Sequence, residues 1–189
     1  MGKSKKTTEI FNFLNFKFER YTFMEEPLQE HAMLQLNSTV TFLIGGRTAE
    51  TVVEYTKIKS DTPKIKSDES NSTSKTWFFD HNSKFWSLGP SLMEERFGHT
   101  ASIIFADKGY PEEKKGIVVI GGCKTPKICL ASVEIFWGED WLTGKWEPGP
   151  DLPNPIIGHK AIETKNGDVI VTGGKENILG KKNYRINGR

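Results

Sequence analysis

The stretch GIVVIGGCKTPK, residues 116–127, places a Gly-Gly pair at the end of an apolar, β-branched run. Such a pair could cradle a phosphate, belong to a redox hairpin beside Cys123, or end a strand where the chain turns. A phosphate loop must open a helix whose N-terminal amides face the anion. Here Pro126 follows and the chain returns to β-type residues, so the pattern favours the end of a strand.

The composition is that of one ordinary globular domain. The chain has 189 residues, of which 36% are hydrophobic, and 26 basic side chains against 24 acidic ones. This balance predicts no nucleic-acid partner, which normally shows as a clustered basic surface. No apolar run is long enough to span a bilayer and no export signal opens the chain, so we expect a cytoplasmic protein without a membrane partner.

The two cysteines, Cys123 and Cys129, are too few for a disulfide framework, and two ligands alone do not make a zinc site. The sequence therefore predicts free thiols in a hairpin. It also predicts no metal site, no cofactor and no catalytic residue, because no convergent set of polar side chains is visible.

The Gly-Gly pair recurs after similar apolar runs, which indicates a repeat. VTFLIGG ends at Gly46, GIVVIGG at Gly122 and DVIVTGG at Gly174. A second landmark, FWSLGPSLMEERFGH at 85–99, matches KWEPGPDLPNPIIGH at 145–159 at a constant offset. Each unit is predicted to form four short strands. The first follows the His, the second ends in Gly-Gly, and the fourth, after an intervening third strand, carries Trp86 or Trp146. The expected fold class is all-β, with four-stranded antiparallel units.

These landmarks resemble those of kelch repeats over about residues 18–174. TWFFDHNSKFW, residues 76–86, fits the family's aromatic-Asp element and following Trp with Asp80 and Trp86, and RFGH from Arg96 to His99 is similar to its junction between blades. The resemblance implies a β-propeller built of four-stranded blades.

The repeated residues are predicted to be structural. Glycine can take the positive φ that ends a strand sharply, and its missing side chain lets a neighbour pack closely. His31, His99 and His159 share one repeat position and would lie in different blades, which indicates packing and not a metal or catalytic centre. The residues assigned to the structural motif are Gly45, Gly46, Gly121, Gly122, Gly173, Gly174, Asp80, Trp86, Trp146, Arg96, His99 and His159.

The units do not add up to a closed propeller, which needs about four to eight blades. We expect either a piece of a longer propeller, the favoured alternative, or two chains that complete each other as a homodimer. The predicted segments are a lead-in at 1–17, a half blade at 18–25, full blades at 31–92 and 99–152, a half blade at 159–174, a flexible insertion at 57–75 and a basic tail at 175–189.

The resemblance implies a protein-binding module, an adaptor or scaffold that is not an enzyme. The alternatives are a fragment of a kelch-like enzyme, either an oxidase or a sugar-processing enzyme, and a truncated non-functional product. In an antiparallel blade, the loops between strands two and three share a face with the loops between blades. This face is predicted to bind a partner peptide, and its candidate residues are Arg47, Met93, Glu94, Lys124, Thr125, Lys127 and Asn154.

Overall fold

A computed structural model describes residues 6–48, 71–106, 114–138, 141–164 and 167–176. Every regular element in these ranges is a β-strand, and no helix long and apolar enough to cross a membrane occurs in them. Most of the predicted insertion and nearly all of the predicted basic tail lie outside the described residues. The strands are β1 (Thr7–Asn12), β2 (Lys17–Phe23), β3 (Ala32–Gln35), β4 (Val40–Ile44), β5 (Thr76–Asp80), β6 (Phe85–Leu88), β7 (Thr100–Ala106), β8 (Lys114–Ile120), β9 (Cys123–Thr125), β10 (Ile128–Cys129), β11 (Val133–Trp137), β12 (Lys145–Pro148), β13 (Ile157–Glu163) and β14 (Val169–Lys175).

Two four-stranded antiparallel sheets form the centre of the fold. The first sheet has the order β3-β4-β5-β6 and the second has the order β7-β8-β11-β12. The all-β, antiparallel prediction is confirmed. The strands of these sheets fall within 31–92 and 99–152, and β4 and β8 both end directly before a Gly-Gly pair.

The sheets are flanked by a hairpin of β1 and β2, which we call the front hairpin, and by a hairpin of β13 and β14, which we call the back hairpin. The predicted strand at 18–25 corresponds to β2, and residues 7–12 of the predicted lead-in form a second strand that pairs with it. The turn forms because Asn12 accepts a hydrogen bond from the N–H of Leu14, at 2.9 Å, and Asn15 accepts one from that of Lys17, at 3.0 Å. Asn is among the residues that favour such turns.

The hydrophobic core lies between the front hairpin, the first sheet, the second sheet and the back hairpin, which pack on one another in that order. Tyr21 of the front hairpin packs on Phe79 of the first sheet, with ring centroids 5.4 Å apart. The other face of the first sheet shares a buried cluster with the second sheet, and the second sheet packs in turn on the back hairpin. The first-to-second cluster contains Phe42, Ile44, Phe78, Ile117, Val119, Phe136 and Trp146, and the last one contains Val118, Ile120, Val133, Val169 and Val171.

The predicted free thiols are corrected to a disulfide. Strands β9 and β10 pair so that Cys129 lies opposite Cys123, and the two sulfur atoms are bonded. Cys123 is fully buried against Phe97 and Ile157. The hairpin register brings the two thiols together, a contact that spacing alone does not reveal.

Candidate functional site

The loops at one end of the two sheets are tied to each other by backbone hydrogen bonds. The N–H of Gly46 donates to Arg96 at 2.9 Å, and the N–H of Gly122 donates to Ile156 at 2.8 Å. In these two pairs the second Gly therefore holds the chain segment that leads into the next unit. We call this end the loop edge, formed by residues 45–47, 71–74, 91–99, 121–132 and 153–158.

The end of the predicted flexible insertion belongs to this edge. Thr73 donates its N–H to Gly46 at 2.9 Å, and the N–H of Gly45 donates to Lys75 at 3.0 Å. Ser72 donates its hydroxyl to the Lys124 carbonyl at 2.9 Å. The last five residues of the predicted insertion at 57–75 are thus held against the Gly45-Gly46 turn and strand β9.

A buried ion pair lies beneath the loop edge. The Arg96 side chain is fully buried, and its Nη2 lies 2.7 Å from Oε1 of Glu134, which is 3% exposed. Arg96 also donates to the carbonyls of Gly121 and Ser132, at 2.9 and 3.0 Å. Glu134 accepts the N–H groups of Met93 and Glu94, at 2.7 and 3.0 Å. Because every one of these partners is on the loop edge or below it, the pair fixes the backbone that presents the surface.

Charged side chains of opposite sign meet above this pair. Glu94 Oε1 lies 2.7 Å from Lys124 Nζ, and Glu94 Oε2 accepts the Ser132 hydroxyl at 2.6 Å. The Lys124 ammonium and the Ser132 hydroxyl lower the pKa of Glu94. Sequence reasoning missed Ser132 and Glu134. For Glu134 the available signal was an acidic residue inside the apolar strand SVEIFW, since buried charges are normally paired.

The structure brings some of the predicted peptide-binding residues together. Arg47 stacks on the Phe97 ring, with its guanidinium carbon 4.4 Å from the centroid, and pairs with Glu30 at 2.5 Å. Ser72 links Arg47 to Lys124, since it forms a β-bridge with Arg47 and donates to Lys124.

The other residues predicted to bind a peptide lie at separate places on the loop edge. Met93 is exposed and lies beside Glu94, at the surface. The Thr125 hydroxyl accepts the N–H of Lys127 at 3.2 Å, so both residues lie in the β9–β10 turn. Asn154 is exposed on the junction that precedes β13, and no described contact joins it to the others.

The Gly-Gly pairs at 45–46 and 121–122 each pack against histidines of two consecutive units, whereas the pair at 173–174 meets His159 alone. A Cβ added to Gly45 would lie 2.8 Å from Cε1 of His99, and one added to Gly122 would lie 2.9 Å from its Cβ. His159 repeats this relation with Gly121 and Gly174, at 3.1 and 3.0 Å. These glycines have φ between 57° and 104°, so they combine a left-handed backbone with close packing that any side chain would disturb.

Burial controls the protonation of these histidines. It lowers the pKa of His99 to about 3, and the charge of Arg96 adds to the shift. Within the described residues neither ring nitrogen of His99 has a hydrogen-bond partner of normal geometry. Burial also lowers the pKa values of His31 and His159, and the Thr100 hydroxyl lies 2.8 Å from Nε2 of His159.

The other motif residues occupy turns and sheet contacts. Asp80 accepts the N–H of Asn82 at 2.8 Å and the Ser83 hydroxyl at 2.9 Å, and these bonds lower the pKa of Asp80. Trp146 is buried between the two sheets and donates its Nε1–H to Pro90 at 2.9 Å. Trp86 is half-buried and packs on Phe79, with ring centroids 4.9 Å apart.

Comparison with known proteins gives a likeness of fold. Among 126 solved chains that match, one is described as "Structure of YjhT". It is 17% identical, with a TM-score of 0.69, and the match covers 91% of this chain and 51% of that one. This chain therefore spans about half the length of that neighbour. No protein-family model matches the chain, and no curated protein does.

The part of the chain described by the structure contains no group of three or more His, Cys, Asp or Glu side chains arranged to hold a metal ion. What the loop edge offers chemically is a surface of mixed charge, held in place by a buried ion pair and next to exposed apolar side chains.

Proposed function

We propose that the two sheets are consecutive blades of a kelch-type β-propeller, and that the chain is a non-enzymatic module that binds a partner peptide on the loop edge. The kelch-like landmarks support the blade assignment, and the neighbour with a TM-score of 0.69 supports an all-β fold of this kind. The chain then forms part of a larger adaptor or scaffold assembly.

One observation carries the binding proposal. The Glu94–Lys124 ion pair, at 2.7 Å, is accompanied by two exposed apolar side chains: Met93 precedes Glu94, and Ile128 lies on β10, which pairs with the strand of Lys124; they are 58% and 55% exposed. An extended peptide needs apolar contact for affinity and charged or polar groups for register. The buried Arg96–Glu134 pair keeps this surface organised before binding, which reduces the entropy that binding has to offset.

A peptide selection tests the proposal. A random phage-displayed peptide library is selected on the immobilised chain, and the affinity of the recovered peptides is measured by calorimetry. We expect Met93→Ala and Lys124→Glu each to weaken binding at least about tenfold, because each removes a contact that is worth about 1.4 kcal/mol or more.

The matched control is Phe85→Lys, which changes an exposed aromatic residue on β6, outside the loop edge. It should leave peptide affinity unchanged. Peptides that bind equally well to all three variants, or a library that yields no specific peptide, would remove the loop edge as the binding site.

A further inference from the structure

The front hairpin has the local structure of the third and fourth strands of a complete sheet. Phe11 pairs with Phe18 across β1 and β2, as Phe79 pairs with Trp86 across β5 and β6. The same relation joins Phe136 to Trp146 in the second sheet. In each case an aromatic residue of one strand faces the Trp-equivalent position of the next.

The turns of the two hairpins also agree position by position. Asn12 accepts the N–H two residues on, at 2.9 Å, as Asp80 does at 2.8 Å. Phe16 and Lys84 then take left-handed backbone, with φ of 55° and 61°. The front hairpin therefore resembles the outer half of a four-stranded unit, and no described strand of this chain supplies the inner half.

The back hairpin has the opposite incompleteness. Its strand β14 carries a Gly-Gly pair at the position where β4 and β8 end, but in the described residues no third strand pairs with it. A Cβ added to Gly173 would meet no described atom within 4 Å, whereas one added to Gly45 or Gly121 meets a histidine of the following unit. Ile162 and Ile170 lie opposite each other on this hairpin and are 65% and 53% exposed.

A series of backbone hydrogen bonds runs across the units. It ends at the back hairpin on one side and just after the front hairpin on the other. Gly158 donates its N–H to Gly98 at 3.2 Å, and Gly98 donates to Glu30 at 2.8 Å. All three residues have positive φ, including Glu30 at 56°. Within the described residues the series ends at Gly158 on one side and at Glu30 on the other, so the two ends are complementary.

We propose that the front hairpin of a second copy of this chain completes the back hairpin, with β1 of one copy pairing antiparallel to β14 of the other. The proposal rests on the blade assignment above but not on peptide binding. Applied twice by a two-fold axis, the contact closes a ring of six four-stranded units.

The register follows from the complete sheets. Phe42 pairs with Phe78, and Val118 pairs with Ile135. The equivalent residues at the proposed contact are Ile170 of one copy and Ile10 of the other, which is 40% exposed. By the same equivalence, His31 of the second copy covers Gly173.

The contact also covers the exposed aromatic face of the front hairpin. Phe18 is 72% exposed and Phe16 is 76% exposed. The equivalent residue Trp146 packs on Phe42 of the preceding sheet, with ring centroids 6.4 Å apart. At the proposed contact Phe18 packs on Val118 and Ile135 of the partner copy. Exposed apolar patches of this kind mark interaction surfaces.

The first test is the molar mass by light scattering after size exclusion, over a range of concentrations. We expect a species of about twice 21.4 kDa for the natural chain. Phe18→Lys should shift it to a single chain, and Ile170→Lys, on the other side of the contact, should do the same. Circular dichroism checks that both variants keep their β-structure.

Phe85→Lys is the matched control. Phe85 is 73% exposed and lies on β6, one position before the Trp-equivalent site that Phe18 occupies on β2. The positions equivalent to Phe85 in the front hairpin and the second sheet already hold lysines, Lys17 and Lys145. This variant should remain a dimer. A natural chain that stays at the mass of one chain, or that forms open-ended larger species, overturns the proposal.

The second test is a cross-link that reads the register. In the variant with Ile10→Cys and Ile170→Cys, oxidised glutathione accepts the two electrons released when the thiols of two copies join. We expect a covalent dimer on a non-reducing gel. The combination of Ile10→Cys with Ile162→Cys should give little, because β13 is one strand farther away. Equal cross-linking of both variants would contradict the register. A failure of the peptide-binding experiment would contradict only the role of the loop edge and not this contact.

Discussion

At the scale of single residues, the buried Arg96–Glu134 pair has the largest influence on the loop edge. Arg96 joins the junction before β7 to the carbonyls of Gly121 and Ser132, so one side chain ties this junction to the end of the second sheet. Ion pairs at this depth are specific but not necessarily stabilising overall, because both charges lose their hydration. Removal of one partner is destabilising, because the other charge then remains buried without its counter-ion.

Arg96→Met is predicted to lower the free energy of unfolding by about 3–5 kcal/mol, because it leaves the Glu134 carboxylate buried without its cation. Urea denaturation measures the loss. Lys75→Met is the control: Lys75 pairs with Glu26 at the surface and is 48% exposed, and such pairs contribute at most about 1 kcal/mol. Equal losses in the two variants would mean that the Arg96 pair is not buried.

His99 is predicted to stay neutral well below the usual range of an imidazole. Its pKa is about 3 in the folded chain, against 6.5 when exposed. Between these values the unfolded chain binds more protons, so stability falls as the pH falls from about 6.5 towards 3, by an amount on the order of 3–5 kcal/mol. Proton NMR of the imidazole signals checks this. A His99 signal that titrates near pH 6.5 would contradict the burial of the ring.

At the scale of strands and turns, the Gly-Gly pairs at 45–46 and 121–122 end the second strand of each central sheet and receive a histidine from the next unit. The sequence alone predicts the first role, because positive φ is a local preference of glycine. The second role depends on how sheets stack. A comparison of Gly121 with Gly173 separates the two roles, since they share a repeat position but, among the described residues, only Gly121 has a histidine within 4 Å.

Gly121→Ala is predicted to destabilise the chain more than Gly173→Ala. Both substitutions meet the cost of a positive φ, about 1–2 kcal/mol. Only at Gly121 does the added Cβ also approach the Ile156 carbonyl oxygen, at 2.8 Å. Both variants are made together with Phe18→Lys, so that dimer formation does not contribute, and their unfolding in urea is compared. Equal losses would show that the contact at Gly121 relaxes without cost.

The front hairpin is the element whose structure is least evident from its sequence. Its aromatic run, FNFLNFKF, is consistent with one long strand or with two. The side chains of Asn12 and Asn15 decide between them, because each accepts a nearby N–H and turns the chain. This signal is short and local, but it can be recognised only once Asn12 is matched to Asp80.

At the scale of the whole molecule, the two ends of the chain differ from the middle. The central sheets bury both faces, whereas the front hairpin exposes Phe18 and the back hairpin exposes Ile170. Apolar area that leaves water is worth about 25 cal/mol per Å², so covering these faces links stability to association.

The melting temperature is predicted to rise with protein concentration. Association that requires the folded state stabilises it by mass action. For a chain of this length we expect about 1–3 °C per tenfold increase in concentration. Calorimetry or circular dichroism at several concentrations measures the trend, and Phe18→Lys should abolish it. A concentration-independent melting temperature for the natural chain would argue against the second copy.

The sequence by itself determined the β-class of the fold, the strand ends at the Gly-Gly pairs and the four-strand spacing of the units. These features follow from local preferences, namely the φ range of glycine and the pairing of β-branched runs. Only the tertiary structure decided that Arg96 pairs with Glu134 and that Cys123 pairs with Cys129. It also decided which histidine covers which glycine. Such contacts depend on the register and stacking of separate strands, and neither is contained in the preferences of any one segment.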